Sequence, residues 1–145
     1  MILVDANILI YAYIADYREH DQARLWLDDQ LSHAPRLALP WTSLISFIRL
    51  VTNPRLFQPA VSITAAHDQV RRWLTAPSAW RPEPTPRHSD LLGQCLQVPG
   101  LRADDVPDAH LAALTIEHGL TLATNDRGFA RFEGLRLTNP VSDQS

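Results

Sequence analysis

Apolar residues open the chain as a run of three, Ile2-Leu3-Val4, broken at once by Asp5. So short a run, without helical period, reads as a strand. From Asn7 to about Tyr17 apolar residues return densely enough for a helix. From about His20 to Leu31, Ala23, Leu27 and Leu31 recur at four-residue spacing, which predicts a second helix. Arg36 to Leu39 is a short strand closed by Pro40. Thr42 is placed to cap the helix TSLISFIRLVT, whose Leu44, Phe47, Ile48 and Val51 share a face, and Asn53-Pro54 ends it. Thr64 to about Ala76 repeats the helical pattern through Ala66, Val70, Trp73 and Leu74. WRPEPTPRHSD holds three prolines and reads as a loop or extended segment, and Ser89 to about Val98 as a further helix.

The stretch LRADDVPDAHLAALTIEHG predicts a helix that starts near Pro107, packs through Leu111, Leu114 and Ile116, and stops at Gly119. Residues 121 to 124, TLAT, form a strand ended by Asn125-Asp126, and Leu135 to Thr138 a last strand. Short strands alternating with helices give an α/β domain with a mostly parallel sheet. The chain of 145 residues suits one domain over 1–145.

Composition narrows the class without naming a chemistry. The longest apolar stretch, Ile8 to Ala15, has eight residues, against the roughly 20 that a membrane span needs. No basic region precedes an apolar segment at the start, and Cys95 is the only cysteine. These features lead us to expect a cytoplasmic protein with no membrane partner. The formal net charge of −3 is not that of a basic nucleic-acid-binding domain. All 13 basic residues are arginines, a side chain suited to phosphate, although a GC-rich genome produces the same bias.

Charge matters more locally. Both Asp5 and Asn125-Asp126 follow predicted strands, and ligands of open parallel sheets sit beyond the carboxyl ends of the strands. Asp108 lies in the first turn of the helix leading to the second of these strands. If the two strands are neighbours, Asp5, Asp108 and Asp126 meet at one edge. Carboxylates so crowded repel one another until a cation offsets them, and a hard divalent ion such as Mg²⁺ takes oxygen ligands. Each aspartate alone also has an ordinary explanation: Asp5 as a helix cap, Asp108 as a partner of the helix dipole, Asp126 as a turn residue. The case for a site rests on all three arriving together.

VDANILIYA, DAHLAALTIEHG and LTLATNDRGF, in this order and spacing, resemble the PIN-domain nucleases and, within them, the VapC toxins. The resemblance runs the length of the chain, and PWTSLISFIRLVTNPRLF is similar to a VapC subgroup with long middle segments. It implies a three-layer α/β/α sandwich with a mostly parallel sheet of about five strands. It implies endoribonuclease activity dependent on Mg²⁺ or Mn²⁺, a VapB-like antitoxin partner and a homodimer. Asp5, Asp108 and Asp126 match the family's acidic, metal-holding positions. Asn7 and Thr124 match small polar positions that flank them.

One departure stands out. The family's middle helix carries a glutamate in a Glu-x-Arg setting, where this chain reads Phe47-Ile48-Arg49. Phe47 cannot ligate a metal and fits a core face. This puts a second metal in doubt and leaves a weakened module, binding RNA or antitoxin without turnover, as the alternative function. Asp105 either joins the site or caps the helix at Pro107, the reading we favour. Ser43 and Ser46 are candidates to orient a metal-bound water. The three aspartates account for the whole formal charge of −3. Arg18, Arg49, Arg55, Arg127 and Arg131 are candidate phosphate contacts, and Trp41 and Trp80 candidate base-stacking residues. An aspartyl-phosphate enzyme is disfavoured, because Asn7 stands where a second aspartate belongs and no lysine is present.

Overall fold

The computed structural model describes residues 1–142. Five parallel strands form one sheet: β1 (Ile2–Val4), β2 (Leu37–Ala38), β3 (Ala79–Trp80), β4 (Thr121–Ala123) and β5 (Arg136–Thr138), in the order β3-β2-β1-β4-β5. Six α-helices among the described residues connect them: α1 (Ala6–Tyr13), α2 (His20–His33), α3 (Trp41–Val51), α4 (Ile63–Leu74), α5 (His88–Leu96) and α6 (Val106–Glu117).

Alternation along the strands separates two cores. Val4 and Leu37 face a cluster built with α1 to α4. Leu3, Ala38 and Leu122 face a second cluster built with α5, α6 and the turn at Phe129–Phe132. The sheet is thus covered on both faces, as a parallel sheet requires, and the layers are α/β/α. From β1 the chain builds outward through β2 and β3, then returns to place β4 on the other side of β1. The strand order therefore reverses between β1 and β4, where Val4 pairs with Ala123. Such a switch point, beyond the carboxyl ends of the strands, is where open α/β sheets place their ligands.

Several boundaries differ from the sequence pattern. The first helix ends at Tyr13, not near Tyr17. Ile14 turns extended, and Tyr17 folds back edge-on to Tyr11, with ring centroids 5.0 Å apart. The third helix starts at Trp41 with Pro40 as its cap residue. Thr42 does not cap it, because its hydroxyl is engaged by His110 Nε2 at 3.0 Å. The proline-rich segment contributes an edge strand after all: Trp80 pairs with Ala38 in β3, where edge position tolerates the following prolines. Its last residues enter α5, which begins at His88.

A candidate carboxylate site at the strand switch point

Asp5 leaves β1 with its backbone N–H still bonded to Ala123 O at 3.0 Å, so the ladder carries it level with Thr124. Its Oδ1 accepts the Ala6 N–H at 2.7 Å, the cap of α1. Its Oδ2 accepts the Thr124 hydroxyl at 2.7 Å. One oxygen of Asp5 therefore caps α1, and the other is bonded across the strand ends to Thr124.

Thr124 organises this edge. Besides donating to Asp5, its oxygen accepts Asn7 Nδ2 at 3.1 Å and the Asp126 N–H at 3.0 Å. One hydroxyl hydrogen and two lone pairs are thereby all used. Asn7 Oδ1 in turn receives the Asn125 N–H at 3.4 Å. Asn7 and Thr124 thus bind the end of β1 to the end of β4 and fix how Asp5 and Asp126 face each other. Asp126 Oδ1 accepts the Gly128 N–H at 2.8 Å, and a Cβ at residue 128 would stand 3.0 Å from that oxygen. A glycine there lets the turn close on the carboxylate.

Asp108 enters from the first turn of α6, after Pro107. Burial and the neighbouring Asp5 and Asp126 charges push its pKa up to about 6, with Arg131 pulling the other way. Burial also raises Asp5, which the Thr124 and Ala6 hydrogen bonds partly offset and the Asp126 charge reinforces. The Asp126 charge acting on Asp5, and both acting on Asp108, is the electrostatic sign that the three lie near one another. As they stand, no three carboxylate, imidazole or thiol groups among the described residues close around one coordination point. The donor set itself, all anionic oxygen, has the chemistry of a hard divalent cation.

Other residues singled out in the sequence have different places. Asp105 is the residue preceding α6, yet its carboxylate makes no cap bond to that helix. It accepts the Arg102 N–H at 2.9 Å and pairs with Arg131 at 3.3 Å. Phe47 is fully buried, edge-on to Tyr13 and Trp73, and supplies nothing to the crevice. Ser43 is buried with its hydroxyl unpartnered among the described residues. Trp80 is occupied as core and cation–π partner, with the Arg36 guanidinium 3.8 Å from its ring. Arg49 and Arg55 are exposed, and of the five candidate arginines Arg131 is the one ion-paired to Asp108.

Sequence reasoning missed a second polar group. His88 Nδ1 bonds Glu117 Oε1, and His88 Nε2 meets His110 Nδ1 at 3.0 Å. Glu117 Oε2 also accepts the Thr85 N–H and hydroxyl, at 2.9 and 2.6 Å. His110 and Glu117 lie seven residues apart on one face of α6, a spacing that was visible in DAHLAALTIEHG.

A family model described as "PIN domain" matches residues 2–135. Ribonuclease VapC37 of Mycobacterium tuberculosis is 44% identical over 140 residues, 97% of each chain. Ribonuclease VapC43 of the same species is 40% identical over 145 residues, covering 100% of this chain and 99% of its own. Among solved structures, VapBC2 from Rickettsia felis bound to a promoter DNA fragment aligns with a TM-score of 0.69 at 20% identity, over 96% of this chain and 98% of that one. FitAcB from Neisseria gonorrhoeae aligns with a TM-score of 0.68 at 19% identity, over 97% and 98%.

Proposed function

We propose, from the premise that this chain belongs to the PIN-domain family, alongside the VapC ribonucleases, that it is a metal-dependent endoribonuclease and the toxin of a VapBC-type pair. The observation that carries the reading is geometric: at the switch between β1 and β4 the Thr124 hydroxyl bonds both the Asp5 carboxylate and the Asp126 N–H, and Asp108 opens α6 nearby, where the Asp5 and Asp126 charges act on it. Asp5, Asp108 and Asp126 would hold the cation, Mg²⁺ or Mn²⁺. When bound, it supplies charge neutralisation beside the phosphodiester and a water acidic enough to attack near neutral pH.

The chain's own residues do the positioning. Thr124 and Asn7 fix the rotation of Asp5, and the Gly128 N–H fixes that of Asp126. Pro107 starts α6 so that Asp108 projects from its first turn. In this reading a VapB-like antitoxin covers the same edge when the toxin is held inactive, the toxin forms a homodimer, and it acts on RNA in the cytoplasm. The VapC ribonucleases among its relatives, and the VapBC and FitAB complexes among its structural neighbours, support it.

A second reading, binding without turnover, draws on one observation: the position of the family glutamate is the buried Phe47. One experiment separates the two. The purified chain, freed of any bound partner, is incubated with RNA in Mg²⁺, in Mn²⁺ and in chelator, beside Asp5→Asn. Cleavage that requires metal and is lost in the variant is the expected result. RNA binding without cleavage establishes the second reading, and equal behaviour of wild type and variant overturns the role of Asp5.

A further inference from the structure

Arg131 is the basic side chain set against these acids. Its Nη2 lies 3.3 Å from Asp105 Oδ1 and 3.6 Å from Asp108 Oδ2. Its guanidinium stands 5.1 Å from the ring centroid of the buried Phe132. Asp105 is itself tied to its own turn through the Arg102 N–H at 2.9 Å. The cation is thus held by one anchored carboxylate, one site carboxylate and one aromatic ring. Both ion pairs use a single nitrogen of a planar five-donor fork. No further hydrogen bond to Arg131 occurs among the described residues, and its side chain is one-third exposed.

Two facts give this arrangement a direction. A divalent cation taken up by Asp108 would repel the guanidinium and replace its attraction to that carboxylate. Asp105 keeps its hold, so Arg131 stays beside Asp108, part-exposed and with donors that neither carboxylate uses. An RNA phosphate approaching three carboxylates meets like charge, and a guanidinium fork is the side chain that binds phosphate in bidentate fashion.

We infer that Arg131, anchored by Asp105, is a substrate-phosphate-binding residue of this site, paired with Asp108 while no cation is bound and released to the RNA phosphodiester when a cation takes Asp108. Asp105 is then a positioning residue that acts through Arg131 and not a metal ligand. The identity of the ligand, an RNA phosphate, rests on the nuclease reading.

The test compares wild type with Arg131→Ala, Arg131→Lys and Asp105→Asn in two binding measurements and one activity measurement. Calorimetry with Mn²⁺ alone reads cation affinity. Anisotropy of a fluorescein-labelled, mixed-sequence single-stranded RNA, in Ca²⁺ and in chelator, reads RNA affinity, with RNA integrity checked on a gel. Arg131→Ala is expected to bind Mn²⁺ at least as tightly as wild type, since a competing cation is gone. It should bind RNA in Ca²⁺ on the order of tenfold more weakly, the effect of one charge-assisted contact. In chelator, where Arg131 is engaged by Asp108, the loss should shrink to about twofold or less. Arg131→Lys, with charge but no fork, should fall between. Asp105→Asn should keep Mn²⁺ affinity within about twofold and still weaken RNA binding.

A loss of Mn²⁺ affinity of about tenfold or more in Asp105→Asn makes it a ligand and overturns the inference. So does RNA binding by Arg131→Ala equal to wild type. RNA binding that depends on Arg131, without cleavage by wild type, sinks the nuclease reading and leaves this inference standing. Cleavage by wild type that is unchanged in Arg131→Ala does the reverse.

Discussion

The Thr124 hydroxyl donates to Asp5 Oδ2 across 2.7 Å, and among the described residues it is the one side-chain group that joins the end of β4 to the carboxylate at the end of β1. Its lone pairs also take the Asn7 amide and the Asp126 N–H. Thr124→Val keeps the shape but leaves a part-buried carboxylate, an amide and a backbone N–H short of a partner. Each unpaired group costs about 1–3 kcal/mol when water cannot reach it. We expect Thr124→Val to lower unfolding free energy by about 2 kcal/mol and to depress RNA cleavage, with Thr124→Ser restoring both. Urea titration of the two variants checks the first part, and an undiminished midpoint in Thr124→Val would contradict it.

Asp108 gives the metal-free protein a pH dependence of defined sign. Its folded pKa, about 6, lies above its ordinary value of 3.8. Between these values the folded chain holds a proton that the unfolded chain has released, so stability falls as pH rises through the window and levels off above it. Burial of Asp5 acts in the same direction. His110, held below its ordinary range by burial and by His88, acts in the opposite direction near neutral pH. The informative quantity is therefore the difference between wild type and Asp108→Asn. In chelator, the variant should melt higher than wild type at pH 8, and the gap should close toward pH 4.5. A gap that is constant with pH would show that Asp108 ionises normally.

Phe47 stands where the resemblance to PIN-domain nucleases leads us to expect an acid, and its surroundings decide what an acid there would do. Phe47 is fully buried, with ring centroids 5.5 Å from Tyr13 and 4.9 Å from Trp73. Phe47→Glu loses that packing and buries a carboxyl among aromatic and aliphatic groups. The expected cost is about 4 kcal/mol or more, with no gain in cleavage. Phe47→Leu should cost about 1–2 kcal/mol and leave cleavage intact. Higher activity in a folded Phe47→Glu would show that the side chain can reach the crevice.

Much of this architecture was legible because local signals agreed with the fold. Ile2–Val4 followed by Asp5, and the TLAT strand followed by Asn125-Asp126, place chemistry at strand ends whatever lies between. Pro107 and Gly119 bracket α6 because each needs a backbone position that few residues supply, and Gly119 indeed has φ of +66°. What was not legible depended on partners distant in sequence. β3 is two residues long and exists only through pairing with β2, so WRPEPTPRHSD carries no strand period. Thr42 is a fair cap by type, yet His110, 68 residues on, claims its hydroxyl. Asp105 precedes a helix as a cap would, and Arg102 and Arg131 take its carboxylate.

The buried chain from Glu117 to Thr42 supports a last prediction. Glu117 has its side chain fully enclosed. Burial pushes its pKa up, but the Thr85 and His88 hydrogen bonds outweigh this and hold it below the usual range. An ionised Glu117 makes His88 Nδ1 the donor. His88 Nε2 meets His110 Nδ1, and His110 Nε2 meets the Thr42 hydroxyl, with the proton positions along these two links set by the ring tautomers. The chain ties α5 to α6 and α6 to the first turn of α3. His88→Ala removes the middle link, leaving Glu117 Oε1 and His110 Nδ1 short of a partner. The expected destabilisation is about 2–4 kcal/mol, more than a truncation at an exposed position gives. His110→Ala, which spares the Glu117 to His88 bond, should cost less. Urea unfolding orders the two variants, and ¹⁵N spectra of the histidine rings read the tautomers directly. A smaller loss for His88→Ala than for His110→Ala, or a His88 protonated at Nε2 alone, would break the assigned direction of the chain.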